Sequence, residues 1–148
     1  MMQNKRRLLT AAFAGAIAAG AGWTVPASAA EPTSKVVYHV NDSTYARPAM
    51  NNIRNHLNAE PGAKIVVVTH GKGIDFLLDG AEDGNKNPYN VTVQTLKDRG
   101  VEFKVCNNTL VSRKIDKSRV IPEADIVPSG VAEIGKLQYQ EKYVYLKP

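Results

Sequence analysis

The chain has 148 residues and a formal net charge of +5 at pH 7, which suits one ordinary domain and is too short for two. A basic excess often indicates a nucleic-acid partner, but the distribution of these charges argues against one. Lys5, Arg6 and Arg7 are the only charged residues among the first thirty, and without them 16 basic side chains face 14 acidic ones. The other 118 residues are therefore close to neutral, which removes the main argument for DNA or RNA binding.

The first thirty residues have the three parts of a secretory signal peptide. The basic start is followed by an apolar stretch from Leu8 to Gly22 and by the small residues of Ala27–Ala30. A permanent membrane anchor is the alternative, but a span takes about 20 strongly apolar residues, and this stretch is shorter and rich in Ala and Gly. We therefore expect a signal peptide at residues 1–30, a domain at residues 31–148, a periplasmic or secreted protein, and no stable membrane span after cleavage. Because Arg6-Arg7-Leu8-Leu9 only partly matches a twin-arginine signal, the export route stays open between that pathway and general secretion.

Apolar strands then alternate with amphipathic segments along the rest of the chain. The predicted strands are Lys35–Val40, Ile65–His70, Val101–Val105, Ala124–Val127 and Tyr143–Leu146. The segments between them are Ala46–Leu57, Ile74–Leu78, Tyr89–Leu96, a short helix beginning near Thr109, and Val131–Gln138. This alternation predicts an α/β fold, a three-layer sandwich with a mainly parallel five-stranded sheet and helices on both faces.

In such a sheet the ligand crevice lies outside the carboxyl ends of the strands. The predicted strand exits bring to one edge Asn41 and Asp42, His70 to Gly73, Cys106 to Thr109, and Pro128 to Gly130. We therefore expect the functional residues at this edge. The candidate ligand-binding residues are Asn41, Asp42, Gly71, Gly73, Asn108, Thr109, Ser129 and Gly130.

Cys106 is the only cysteine, so an exported chain forms no internal disulfide. The sequence has no CxxC pair and no His-rich tract, and we expect no metal site. A thiol at a strand-to-helix turn faces free backbone N–H groups and the positive end of a helix dipole, which favour the thiolate. Such a thiolate can attack an electrophilic sulfur or carry a persulfide. The alternative is a small buried core residue, because free cysteine is among the most buried residue types.

His70 is the candidate to assist Cys106, since it lies at the neighbouring strand exit, although a structural histidine is the alternative. His39 lies inside the first strand and receives no role. Asp42 could orient a cation or an imidazole, but an Asp between strand and helix is commonly a cap. Gly71 and Gly73 do not form a phosphate fingerprint, and we expect them to permit tight turning beside a small anion.

Three tyrosines near the C-terminus, Tyr139, Tyr143 and Tyr145, are explained better by core packing or a subunit interface than by base stacking.

Four segments resemble the DsrE/DsrF-like family: Lys35–Asp42, Ile65–Leu78, Gly100–Thr109 and Val127–Ile134. The most specific is Gly-Val-x-Phe-x-Val-Cys-x-Asn-Thr, which ends at Thr109, and the resemblance spans about Lys35 to Pro148. It implies a flavodoxin-like α/β sandwich that assembles into trimers or hexamers, and relatives that pass sulfur as a cysteine persulfide. The matching cysteine is Cys106. Those relays are cytoplasmic, whereas this chain is expected to be exported, which disfavours tRNA thiolation.

Two functions follow as hypotheses. In the first, the protein handles reduced sulfur as a persulfide carrier or sulfurtransferase-like protein, with Cys106 and His70 at its centre and a donor or acceptor protein as partner. In the second, it is a non-catalytic small-ligand-binding protein or oligomeric scaffold with a structural cysteine. A flavin oxidoreductase is disfavoured because no Ser/Thr-rich phosphate loop follows the first strand, and we expect no cofactor.

Overall fold

The computed structural model describes residues 33–148, so the predicted signal peptide lies outside the described residues. The strands are β1 (Lys35–Val40), β2 (Lys64–Thr69), β3 (Glu102–Cys106), β4 (Ala124–Val127) and β5 (Val144–Leu146). The α-helices are α1 (Ala46–Ala59), α2 (Asn90–Asp98), α3 (Asn107–Ser112) and α4 (Gly130–Tyr139). Short 3-10 turns lie at Ser43–Tyr45, Gly71–Leu77 and Lys117–Arg119.

All five strands are parallel and lie in the order β4-β3-β2-β1-β5. The predicted α/β architecture is confirmed, and the sheet is wholly rather than mainly parallel. Two boundaries differ at the edge of interest, because β2 ends at Thr69 and not at His70, and β3 ends at Cys106 and not at Val105. His70 still has extended backbone, but Gly71 has a φ of +56° and turns the chain away from the sheet.

The two faces of the sheet are covered unequally. The face carrying Val36, Tyr38 and Val40 packs against α1, α2, α3 and the turn at Gly71–Leu77 in one large apolar cluster. The other face has a small cluster, formed by Val37, Val66, Val68, Ile134, Leu137 and Tyr143, in which α4 is the covering helix. Since side chains alternate between the faces, every second residue of the inner strands points toward α4.

Two interactions fix α4 on its face. Ser129 caps the helix, accepting a hydrogen bond from the Ala132 N–H at 3.4 Å. Lys104 Nζ lies 2.9 Å from Glu133 Oε1, and both side chains are mostly buried. Burial alone would lower the pKa of Lys104, but hydrogen bonding and charge attraction from Glu133 raise it, so Lys104 keeps its positive charge. The N-terminus of α4 is thereby held over the ends of β2 and β3.

In residues 33–148 we find no helix with the length and apolar character needed to cross a membrane.

We predict that Gly73→Ala destabilises the fold, because a Cβ at this position would stand 2.0 Å from the Val40 carbonyl oxygen. That neighbour is backbone in β1, so the clash cannot be relieved by a side-chain rotation. The free energy of unfolding, measured by urea denaturation followed by circular dichroism, should fall by about 2–3 kcal/mol.

Gly135→Ala is the matched control, because open space surrounds the new Cβ within α4. It should raise the free energy of unfolding by about 0.5–1 kcal/mol through helix propensity. Equal stability of the two variants would contradict the close approach of the Gly71–Leu77 turn to β1.

Candidate functional site

The segments that follow the strands meet at the carboxyl edge of the sheet. Those after β2 and β3 are joined directly by a hydrogen bond. The Gly71 N–H donates a hydrogen bond to Thr109 Oγ1 at 3.0 Å. Arg113 reinforces the junction, donating to the Gly71 carbonyl at 3.1 Å and to Asp75 Oδ1 at 2.6 Å. The turn after β2 is thereby fixed against α3.

Cys106 is the last residue of β3 and lies against the first residue of α4. It is 5% exposed, yet it belongs to neither apolar cluster of the core. A Cβ added at Gly130 would stand 3.2 Å from the Cys106 Cβ, so the start of α4 lies directly on the carbon that bears the thiol. The thiol is buried at a helix N-terminus and outside the aliphatic core.

The surroundings of Cys106 favour its anion. Burial acts to raise the pKa of the thiol, but hydrogen bonding from the Gly130 N–H, the Thr109 hydroxyl and the N–H groups of Thr109 and Asn108 outweighs it. The net result is a pKa below the ordinary cysteine value. Hydrogen-bond donors from the starts of both α3 and α4 thus act to stabilise the thiolate.

Gly130 makes this close approach feasible. A Cβ there would also lie 3.3 Å from the His70 Cβ and 3.1 Å from the Thr69 carbonyl oxygen. A larger residue would press on β2 and β3 at once and push the amide of α4 away from the sulfur. The packing of the ends of β2 and β3 against this one glycine therefore creates the site.

His70 is the neighbour of Cys106 on the same face of the sheet. Thr69 pairs with Val105 in the register of β2 and β3, so the residues that follow each of them lie side by side. Within the part of the chain that the structure describes, no hydrogen bond joins the His70 ring to Cys106. Instead Nε2 of His70 lies 2.7 Å from Nε2 of His39. Burial, and then the positive charge of Lys147, lowers the pKa of His70, which keeps the ring neutral at neutral pH.

His39 and Tyr145 belong to this neighbourhood, although sequence reasoning left both out. The other ring nitrogen of His39, Nδ1, lies 2.7 Å from the Tyr145 hydroxyl. The signal was present in the alternation of β1, since Val37 and His39 share the face that α4 covers. Sequence reasoning missed this signal because a strand that is buried on both faces is apolar at most positions, so its sequence does not show which residues share a face.

Several predicted ligand-binding residues make capping or packing contacts within the fold. Asp42 Oδ1 accepts hydrogen bonds from the Thr44 N–H and Thr44 hydroxyl, both at 2.9 Å, which lower the pKa of the carboxyl. Ser129 caps α4. Gly73 packs on the β1 backbone, and the Asn41 carbonyl oxygen contacts Gly71. Asn108, Thr109 and Gly130 are the predicted residues that surround the sulfur.

A cavity of about 200 Å³ lies beside the site, between the ends of β3 and β4. It is lined by Asn107, Lys117, Ile126, Val127 and Pro128. Asn107 Oδ1 is a buried acceptor without a hydrogen-bond partner among residues 33–148. In the same residues, no cluster of three or more His, Cys, Asp or Glu side chains is arranged to hold a metal ion.

We predict that Thr109→Val slows alkylation of Cys106 at neutral pH by about tenfold, because it removes a hydroxyl donor whose hydrogen bond to a charged group contributes about 1.5 kcal/mol. Lowering the pKa increases the thiolate fraction at a given pH, so the wild-type rate should reach its plateau at a lower pH than the variant rate. The measurement is the rate of iodoacetamide labelling against pH.

Thr109→Ser keeps the hydroxyl and should retain the wild-type profile. Identical profiles for wild type and Thr109→Val would contradict the role of this donor.

Two of three comparisons place the chain among known proteins. The model of the DsrE/DsrF-like family matches residues 34–148. The sequence matches none of the curated proteins with which it was compared. A protein of unknown function from Methanobacterium thermoautotrophicum, MTH1491, is similar in structure with a TM-score of 0.70 and 28% identity, covering 78% of this chain and 99% of that chain. The ychN protein from E. coli has a TM-score of 0.66 and 15% identity, covering 78% and 100%, and supports the fold alone. The chain belongs to the DsrE/DsrF-like family.

Proposed function

We propose that the protein is an exported sulfur carrier that holds sulfur as a persulfide on Cys106. The observation that carries the proposal is the position of Cys106 at the start of α3 and against the start of α4, where neighbouring donors lower the pKa of its thiol. Membership of a family generally linked to sulfur relay supports the same chemistry. The apolar stretch with a basic start at the N-terminus supports export to the periplasm or the exterior.

Loading is a sulfur transfer in which one sulfur–sulfur bond breaks and another forms. The Cys106 thiolate attacks the outer sulfur of thiosulfate, sulfite leaves with the bonding electron pair, and a cysteine persulfide anion remains. No proton and no external oxidant are required, because the thiolate supplies the electron pair. The donors from Gly130, Asn108 and Thr109 that favour the thiolate also lie close to the persulfide anion.

Unloading requires a second protein or a small thiol. Cys106 is the only cysteine in the sequence, so the chain has no second thiol to receive the sulfur. An acceptor thiol attacks the outer sulfur of the persulfide and loses its proton, and Cys106 leaves as the thiolate. The proposal therefore includes an acceptor partner, with His70 beside the reacting sulfur.

We also propose that the protein works as a homo-oligomer, a trimer or a hexamer. The resemblance to the DsrE/DsrF-like family, which implies trimers or hexamers, supports this.

We predict that incubation with thiosulfate or polysulfide adds one sulfur atom to Cys106. Intact-protein and peptide mass spectrometry should find the added mass on the wild-type chain, and treatment with a reducing thiol should remove it. Cys106→Ser is the matched control and should gain nothing, because a serine hydroxyl is not a thiolate nucleophile. Absence of the adduct on wild type after both donors would refute the carrier.

One observation favours a second function. The 5% exposure of Cys106 suits a structural cysteine in a ligand-binding or scaffold protein. That alternative predicts a thiol that iodoacetamide labels no faster in the folded protein than in the urea-unfolded chain at neutral pH. Faster labelling in the folded protein would exclude it.

A further inference from the structure

Four polar side chains form a continuous row across the α4 face of the sheet. Tyr145 on β5 pairs with Val37, two residues before His39 on the same face of β1. His39 pairs with Val68, two residues before His70 at the end of β2. His70 in turn lies beside Cys106. The row therefore steps from the open edge of the sheet to the sulfur, one strand at a time.

Hydrogen bonds join the first three members of the row. The Tyr145 hydroxyl lies 2.7 Å from Nδ1 of His39, and Nε2 of His39 lies 2.7 Å from Nε2 of His70. The two imidazole rings are stacked, with planes inclined by 27° and centroids 4.7 Å apart. His70 Nδ1 makes no hydrogen bond within residues 33–148, so this nitrogen, at the end of the hydrogen-bonded row, is available to a bound molecule.

The short nitrogen–nitrogen distance indicates a shared proton. Two nitrogens that bind one tetrahedral metal ion at about 2.0–2.1 Å are separated by about 3.3 Å, well beyond the separation of these rings. A single N–H···N hydrogen bond accounts for 2.7 Å, and it requires that one ring donates while the other accepts.

The charges around the pair keep both rings neutral. Burial, then His70 and then Lys147, lowers the pKa of His39, and burial followed by Lys147 lowers the pKa of His70. Other titratable groups on this face include Tyr145, Cys106, Tyr143 and Lys104, which lies between the carboxylates of Glu102 and Glu133. Two neutral imidazoles that exchange tautomers are suited to pass a proton without holding a charge.

We propose that His70, His39 and Tyr145 form a proton relay that serves the unloading of sulfur from Cys106. His70 Nδ1 accepts a proton, its Nε2 proton passes to Nε2 of His39, the Nδ1 proton of His39 passes to the Tyr145 oxygen, and the hydroxyl proton leaves to solvent. One proton enters and one leaves, and both rings change tautomer. Tyr145 is 37% exposed, so its hydroxyl reaches solvent at the edge of the sheet.

The relay rests on the proposed carrier function and acts in its unloading step only. Loading starts from a thiolate and releases no proton. In unloading, the Cys106 persulfide anion and an acceptor thiol give the Cys106 thiolate, the acceptor persulfide anion and one proton, which His70 removes. His39 and Tyr145 are thus positioning residues that act through His70, and their loss should affect unloading alone.

The test separates the two half-reactions in Tyr145→Phe and His39→Gln, neither of which alters Cys106. Thiosulfate loads Cys106, and glutathione then unloads it, with both steps followed by rapid quenching and mass spectrometry. Unloading near neutral pH should slow by about tenfold to a hundredfold in each variant, as expected for loss of general base catalysis, while loading stays at the wild-type rate. The deficit should vanish at a pH where glutathione is already a thiolate, and added imidazole should restore part of it.

Tyr139→Phe is the matched control, since this tyrosine is 81% exposed on α4 and lies outside the row. Equal unloading rates in all variants would overturn the relay and leave the carrier intact. A uniform loss of loading and unloading that imidazole does not restore would show a structural role and would also overturn it. Failure of the wild type to load would refute the carrier and the relay together, and the first step of the experiment reports that outcome separately.

Discussion

The account depends on how closely the N-terminus of α4 approaches the ends of two parallel strands. Gly130 lies against Cys106, His70 and the Thr69 carbonyl with little room for a Cβ, and this brings a backbone N–H to the sulfur. The amides of Asn108 and Thr109 at the start of α3 complete the set. A thiol buried elsewhere in such a core would be inert, because desolvation alone favours its protonated form. Here hydrogen bonding reverses that preference.

The unequal faces of the sheet determine what surrounds the sulfur. The face under α1, α2 and α3 is a large apolar cluster. The face under α4 has a small cluster, so polar side chains such as His39 and Lys104 are tolerated there. Each is satisfied by a neighbour: His39 by Tyr145 and His70, and Lys104 by Glu133. A single covering helix therefore leaves room for a polar row that ends at Cys106.

The sequence was sufficient to predict the architecture and the edge of the sheet at which Cys106 and His70 meet. Alternating strands and helices determine a parallel sheet, and a parallel sheet brings all carboxyl ends together. The hydrogen-bond partners of each side chain could not be predicted from the sequence. Asp42 lies at the predicted edge but binds Thr44, and His39 joins the row because of strand register, which a continuous apolar strand does not reveal. Interactions within a few residues and general topology can be read from a sequence, whereas contacts across strands depend on register and helix placement.

The most direct test of the account is the ionisation of Cys106 in the folded protein. The ultraviolet absorbance of the thiolate, titrated against pH with Cys106→Ser as the baseline, gives its pKa without any sulfur donor. Because the chain has a single cysteine, the same residue in urea-unfolded protein supplies the reference. The account predicts a midpoint at a lower pH in the folded protein than in the unfolded chain. A midpoint at an equal or higher pH would show that burial prevails over the donors of α3 and α4, and would contradict the thiolate on which the proposed carrier rests.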